Sequence, residues 1–148
     1  MSSIMICICQ DYSLWALFLI RVSLGITFVL HGSQKVFGFF GGAGLNGFAQ
    51  WILTLGFSAW LGYVVSFIEL ISGILLVFGV ASELAALSII PIMLVAIWKV
   101  HLQHGFFIQN NGYEYALHLI IAALAIIIAG PGKLNLYSLS VCKLFFLK

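Results

Sequence analysis

The chain has 148 residues, 64% of them hydrophobic and 7% charged, with a mean hydropathy of +1.21. Soluble domains carry roughly 25% charged residues, so these few cannot cover a solvated surface, and the same apolar excess excludes intrinsic disorder. Six Lys and Arg against four Asp and Glu make no basic patch for nucleic-acid phosphates; the composition is that of an integral membrane protein with several spans.

A hydrocarbon core of ~30 Å needs about 20 apolar helical residues. Four stretches meet or approach that length: residues 12–30, 59–79, 83–100 and 113–129. The first carries Arg21 in its centre and lacks a basic leader, which reads as a retained span rather than a signal peptide. His31-Gly32-Ser33 is expected to end it. Residues 45–55 are apolar but too short to cross, which predicts a short interfacial or re-entrant helix between spans one and two, with Trp51 and Trp60 suited to the headgroup belt. The glycines at 41, 42, 44 and 47 lack the strand and the lysine–hydroxyl pair of a phosphate loop. Gly79-Val80-Ala81-Ser82 is short enough to fold spans two and three into an antiparallel hairpin. Pro91 removes a backbone donor inside span three and predicts a kink. Asn110-Asn111-Gly112 supplies capping groups for span four, and Gly130-Pro131-Gly132 terminates it. The apolar tail, residues 137–147, suits a membrane face.

The predicted fold is therefore all-α: a polytopic membrane protein, an antiparallel four-transmembrane-helix bundle forming a single domain over residues 1–148. Four spans bring both termini to one face. Lys133, Lys143 and Lys148 lie there, which favours that face as cytoplasmic and a bacterial cytoplasmic membrane as the location. Cys7, Cys9 and Cys142 form neither a redox C-x-x-C nor a zinc motif.

Ionisable residues inside a membrane mark functional sites by default. Counted from the span ends, Arg21 and Glu69 fall at matching depth and read as an ion pair, whose role is either functional or the fixing of helix register. Gly25, Gly62, Ser66 and Gly73 lie around them and permit close helix approach. At the opposite face from the termini, topology gathers His31, Lys35, Lys99, His101, His104, Glu114 and His118. His31, His101 and Glu114 are the candidate proton-handling groups, with Lys35 and His118 as supporting polar residues. Their spacing is not a metal motif, and nothing matches a haem attachment sequence, so no metal ligand is assigned.

The ordered motifs resemble the DoxX family of small membrane proteins. They begin with Arg21-x-x-x-Gly25-x-x-Phe28-x-x-His31-Gly32-x-x-Lys35-x-Phe37-Gly38. Glu69-Leu70-Ile71-Ser72-Gly73 and Gly79 follow, then Met93, His101 and Gly105-Phe106-Phe107. Gly112-Tyr113-Glu114-Tyr115-Ala116-Leu117, Gly130-Pro131-Gly132 and Tyr137-Ser138-Leu139 close the series. The resemblance implies four helices with cytoplasmic termini and an association with redox chemistry. Some members are named as subunits of thiosulfate:quinone oxidoreductase or of a terminal quinol oxidase, and others are linked to complexes handling oxidative stress and thiols. The family's polar positions map onto Arg21, His31, Lys35, Glu69, His101 and Glu114. Ser82-Glu83 departs from the Thr-Arg often found there and removes a cytoplasmic positive charge; His118 stands where relatives carry an apolar residue.

The expected function is a membrane subunit of a redox complex, at most one part of a quinone-linked oxidoreductase. Quinone is the candidate cofactor, and a protein partner would supply the electron-carrying group, because no flavin, iron–sulfur or haem motif is present. One alternative is a non-enzymatic anchor or assembly factor for an envelope or oxidative-stress complex. Another is a small transporter or metal-handling protein. The lipid bilayer is the certain partner, a homo-oligomer is open, and nucleic acid is excluded.

Overall fold

The computed structural model describes residues 2–136, with side chains from residue 12 onward; the apolar tail, residues 137–147, and with it Cys142, lies outside the described residues, as do the side chains of Cys7 and Cys9. Every regular element among the described residues is helical: α1 (Ser2–Val36), α2 (Gly44–Thr54), α3 (Ala59–Phe78), α4 (Ser82–Ala96) and α5 (Glu114–Ala129), with short 3-10 turns between them. Three stretches are long and apolar enough to cross a membrane: Tyr12–Val36, Ala59–Phe78 and Ser82–His104. Glu114–Ala129 is apolar but shorter.

Helix α3 displays the logic of packing in lipid. Its large apolar side chains Phe67, Ile71, Ile74 and Phe78 are exposed, while Gly62, Ser66, Glu69, Gly73 and Leu76 are buried. Hydrocarbon solvates a phenylalanine as well as a protein core does, so small residues go inward, where backbones can approach. A Cβ placed on Gly25 would lie 2.7 Å from the Val77 nitrogen, one on Gly32 2.6 Å from the Leu70 Cα, and one on Gly73 2.5 Å from the Val29 nitrogen. No side chain fits at any of the three. They seat α1 directly on α3 in opposite directions, residue 25 level with 77 and residue 32 with 70.

That register corrects two expectations. His31-Gly32-Ser33 does not end the first span: α1 continues to Val36, and Gly32 is a contact rather than a terminator. Nor does Arg21 pair with Glu69. With the helices in this register, residue 21 is level with 81, so the two differ by about twelve residues, roughly 18 Å at 1.5 Å per residue. The expected span end falls six residues short of Val36, and α3 begins beyond the level of that end; together these two offsets separate residues that equal counting from span ends makes level.

Arg21 instead lies at the C-terminal end of α3, fully buried. Its Nη1 donates to the carbonyls of Leu76 and Val77, its Nε to Pro131 at 2.8 Å, and its Nη2 to Lys133 and Leu134, both at 3.1 Å. The last carbonyls of a helix have no intrahelical donor and carry the negative end of the dipole. A planar five-donor cation is suited to several such oxygens at once. The segment 130–136 reaches them by folding back after α5, with Gly130 and Gly132 at positive φ (89° and 75°). Lys133 N donates to Leu14 O and Leu136 N to Gly79 O, both at 3.1 Å.

The hairpin between α3 and α4 forms as expected, Gly79 adopting the left-handed C-cap conformation at φ 70°. Ser72 and Ser88 hydrogen-bond across it at 2.8 Å. Helix α4 runs through Pro91 and passes into a π-helical stretch, Ile97–His101. Asn110 and Asn111 do not cap α5; its first N–H groups are met by loop carbonyls, Tyr113 N by Gly105 O at 3.1 Å and Glu114 N by Phe106 O at 2.9 Å. The core is completed by Phe28, Leu76, Ala86, Ile89, Ala123 and Ile126.

Arg21→Met should lower stability in detergent by about 3 kcal/mol or more, because it strands buried carbonyls; Arg21→Lys, lacking the fork, should recover only part of that. Thermal melting in mild detergent reads both. Gly73→Val, which forces α3 off α1, should cost at least the 1–3 kcal/mol typical of overpacking in the same assay.

Candidate functional site

Helix α2 carries Phe48, Trp51, Ile52 and, just past its end, Leu55 at helical spacing, one apolar stripe. It is fastened to α3 by a close approach: Ala49 is fully buried, and a Cβ on Gly62 would lie 2.7 Å from the Ala49 Cα. Tyr63 Oη donates to Asn46 Oδ1 at 3.2 Å. The stripe therefore forms one wall of a cavity whose other walls come from α1, α3, α4 and α5. The cavity encloses about 530 Å³, within the range of small-molecule sites.

Its lining is apolar apart from a small polar set. Phe28, Leu61, Val65, Pro91, Met93 and Leu119 are among the apolar residues, and His31, Lys35, Glu69, His101 and Tyr115 supply the titratable groups. Glu69, 1% exposed, forms a salt bridge through Oε2 with Lys35 Nζ. Its other oxygen, Oε1, has no hydrogen-bond partner among the described residues. Lys35 Nζ also lies over the Phe48 ring, 4.7 Å from its centroid, a cation–π contact that binds α2 to the polar end. His31 Nε2 and Tyr115 Oη are 3.4 Å apart. His101 Nδ1 is 2.8 Å from the Asn111 carbonyl; a carbonyl only accepts, so Nδ1 carries the proton and Nε2 of the neutral ring is an acceptor.

Of the residues singled out from sequence, His31, Lys35, Glu69 and His101 come together here. Arg21 is at the far end of α3. Glu114 does not line the cavity: its Oε2 accepts from Ile108 N at 3.0 Å. It thereby fixes the 105–113 loop that delivers the Asn111 carbonyl to His101. His118 is exposed, its Nδ1 2.8 Å from the Glu114 carbonyl. Trp51, expected at the headgroups, is a cavity residue. Tyr115 and Phe48 are additions from the structure. The i, i+3, i+4, i+7 stripe of α2 was a readable signal for Phe48 and Trp51; Tyr115 had none beyond its neighbours. Among the described residues no three metal-ligating side chains gather.

The model of the DoxX family matches residues 16–102. The stretch takes in Arg21, His31, Lys35, Glu69 and His101 and ends before Glu114 and Tyr115. A Bacillus subtilis protein named "Putative oxidoreductase CatD" is 32% identical over 108 residues, covering 73% of this chain and 75% of its own length. An uncharacterized protein of Haemophilus influenzae is 38% identical over 71 residues, 48% of this chain and 47% of that one. No solved structure matches the chain.

Removing one member of a buried ion pair costs about 3–5 kcal/mol, while removing both costs far less. Lys35→Met and Glu69→Met should each destabilise on that scale, and the double variant should recover most of the loss. A thermal double-mutant cycle measures the coupling, and additivity would show the bridge to be absent.

Proposed function

The chain belongs to the DoxX family, and on that premise we propose that it is a membrane subunit of a redox complex whose cavity takes a quinone. The observation that carries this reading is the cavity. Helices far apart in sequence bring His31, Lys35, Glu69, His101 and Tyr115 to a space otherwise walled by apolar side chains. A quinone has that make-up: a ring and tail that favour apolar contact, and oxygens that need hydrogen-bonding and proton-exchanging partners. The name of the Bacillus subtilis relative agrees with a redox role.

The proposed topology is a single domain over 1–148 with four antiparallel spans, in a bacterial cytoplasmic membrane with both termini cytoplasmic. Helix α5 is roughly 24 Å long at 1.5 Å per residue, and it crosses by local thinning of the bilayer. Helix α2 lies at the interface. A ligand enters laterally from lipid, between the helices.

Quinone reduction takes up protons as well as electrons, and this chain's part is the protons. His31 and His101 exchange a proton with a ligand oxygen, Tyr115 relaying at His31. The Lys35–Glu69 bridge sets the charge of the polar end. Glu114 is a positioning residue, acting through the loop on His101. The electron comes from a protein partner carrying a redox group.

Native mass spectrometry of the protein, extracted gently from its own membrane, tests this. A quinone at fixed stoichiometry and a redox partner are expected. Ala96→Trp, which fills the cavity, should abolish the quinone adduct and leave the partner bound. A chain bound only to lipid or to a non-redox protein would replace this reading with that of an anchor.

A further inference from the structure

Among the polar groups of the cavity, one buried atom is left unmatched. Glu69 Oε1 is a buried carboxylate oxygen with no partner among the described residues, and a carboxylate in this state only accepts. His101, its Nδ1 committed to the Asn111 carbonyl, presents Nε2 as a second acceptor. The donors nearby each have a neighbour: Lys35 Nζ spends one of its three hydrogens on Glu69 Oε2 and lies over the Phe48 face, and Tyr115 Oη is 3.4 Å from His31 Nε2, yet none of them reaches Oε1. An unmatched buried acceptor is costly, and a ligand that brings a hydrogen to it gains what one bearing only lone pairs forfeits.

We infer that Glu69 is a specificity residue, and that its free oxygen makes the cavity select the hydroxyl-bearing form of its ligand over the carbonyl form. The inference rests on the quinone reading above and adds to it a preference between redox forms and the residue that sets it. The hydroquinone presents a phenolic O–H to Oε1, a hydrogen bond to an ionised acceptor and so of the stronger kind. The quinone meets the same atom with a carbonyl oxygen, lone pair against lone pair. Shape and apolar contact are nearly identical for the two, so the hydrogen on the oxygen decides. The expected preference is at least tenfold, the scale on which charged hydrogen bonds discriminate in buried sites.

The test uses three probes on one tetramethyl ring: duroquinone and duroquinol, which match in shape, the latter kept reduced under anaerobic conditions, and the bulkier duroquinol dimethyl ether, which has no donor. Binding to the whole protein in nanodiscs is measured by equilibrium dialysis. The expected result is duroquinol bound at least tenfold more tightly than either of the others. Glu69→Gln, whose amide can donate, should erase that preference or invert it toward duroquinone. The ligand comparison on the unaltered protein stands even if that variant fails to fold. Equal affinities for quinone and quinol, or tighter quinone, would overturn the inference, with Oε1 then satisfied by solvent, and would leave the quinone reading in place. Equal affinities for quinol and its dimethyl ether would overturn it in the same way. Failure of all three probes to bind would remove the quinone reading itself and the inference with it.

Discussion

The direct seating of α1 on α3 is the constraint from which the rest follows. Gly25, Gly32 and Gly73 leave no room for a side chain, so the two backbones touch and can do so in one register. In hydrocarbon no hydrophobic effect drives helices together, and close packing of small residues takes its place. Once residue 32 is level with 70, Lys35 reaches Glu69 and Arg21 reaches the end of α3. The same contact thus determines which cation neutralises the buried carboxylate and which one caps the helix.

The two cations of α1 solve different problems by different means. Arg21 meets only carbonyl oxygens, whose partial charges and helix-end dipole stand in for a counter-ion. It ties α3 to the segment returning from α5 and so closes the fold at one end. Lys35 meets a full negative charge at the other end, where one carboxylate oxygen has no hydrogen-bond partner among the described residues and belongs to a residue lining the cavity. Arg21 and Lys35 thus act at different levels of α1, one fastening the fold and the other lining the cavity.

The cavity exists because a fifth helix, too short to span, is laid against α3 by Ala49 and Gly62. Its apolar stripe faces the titratable residues of four other elements. The 105–113 loop performs a related service for His101: its carbonyls cap α5, Glu114 holds its backbone, and Asn111 fixes the tautomer of the imidazole. The polar end is therefore assembled from elements that hydrogen bonds hold to one another.

Composition alone determined that the chain lives in a membrane, and periodicity located α2, α3 and the hairpin between α3 and α4, because hydropathy and turn chemistry are local. The resemblance to the DoxX family was legible too, carried by the order of short motifs, and four of the cavity's titratable residues were among those it marked. Pairing was not legible. Depth counted from a span end cannot see that Gly32 is a contact, so the first helix ended too early and Arg21 was matched to Glu69. Asn110 and Asn111 looked like caps, whereas the loop's fold gave that task to carbonyls, and Glu114, a candidate by its place in the sequence, lies outside the cavity and holds the loop's backbone. Partners across helices depend on register and rotation, which are set by backbone contacts between residues dozens of positions apart; only the tertiary structure decides those.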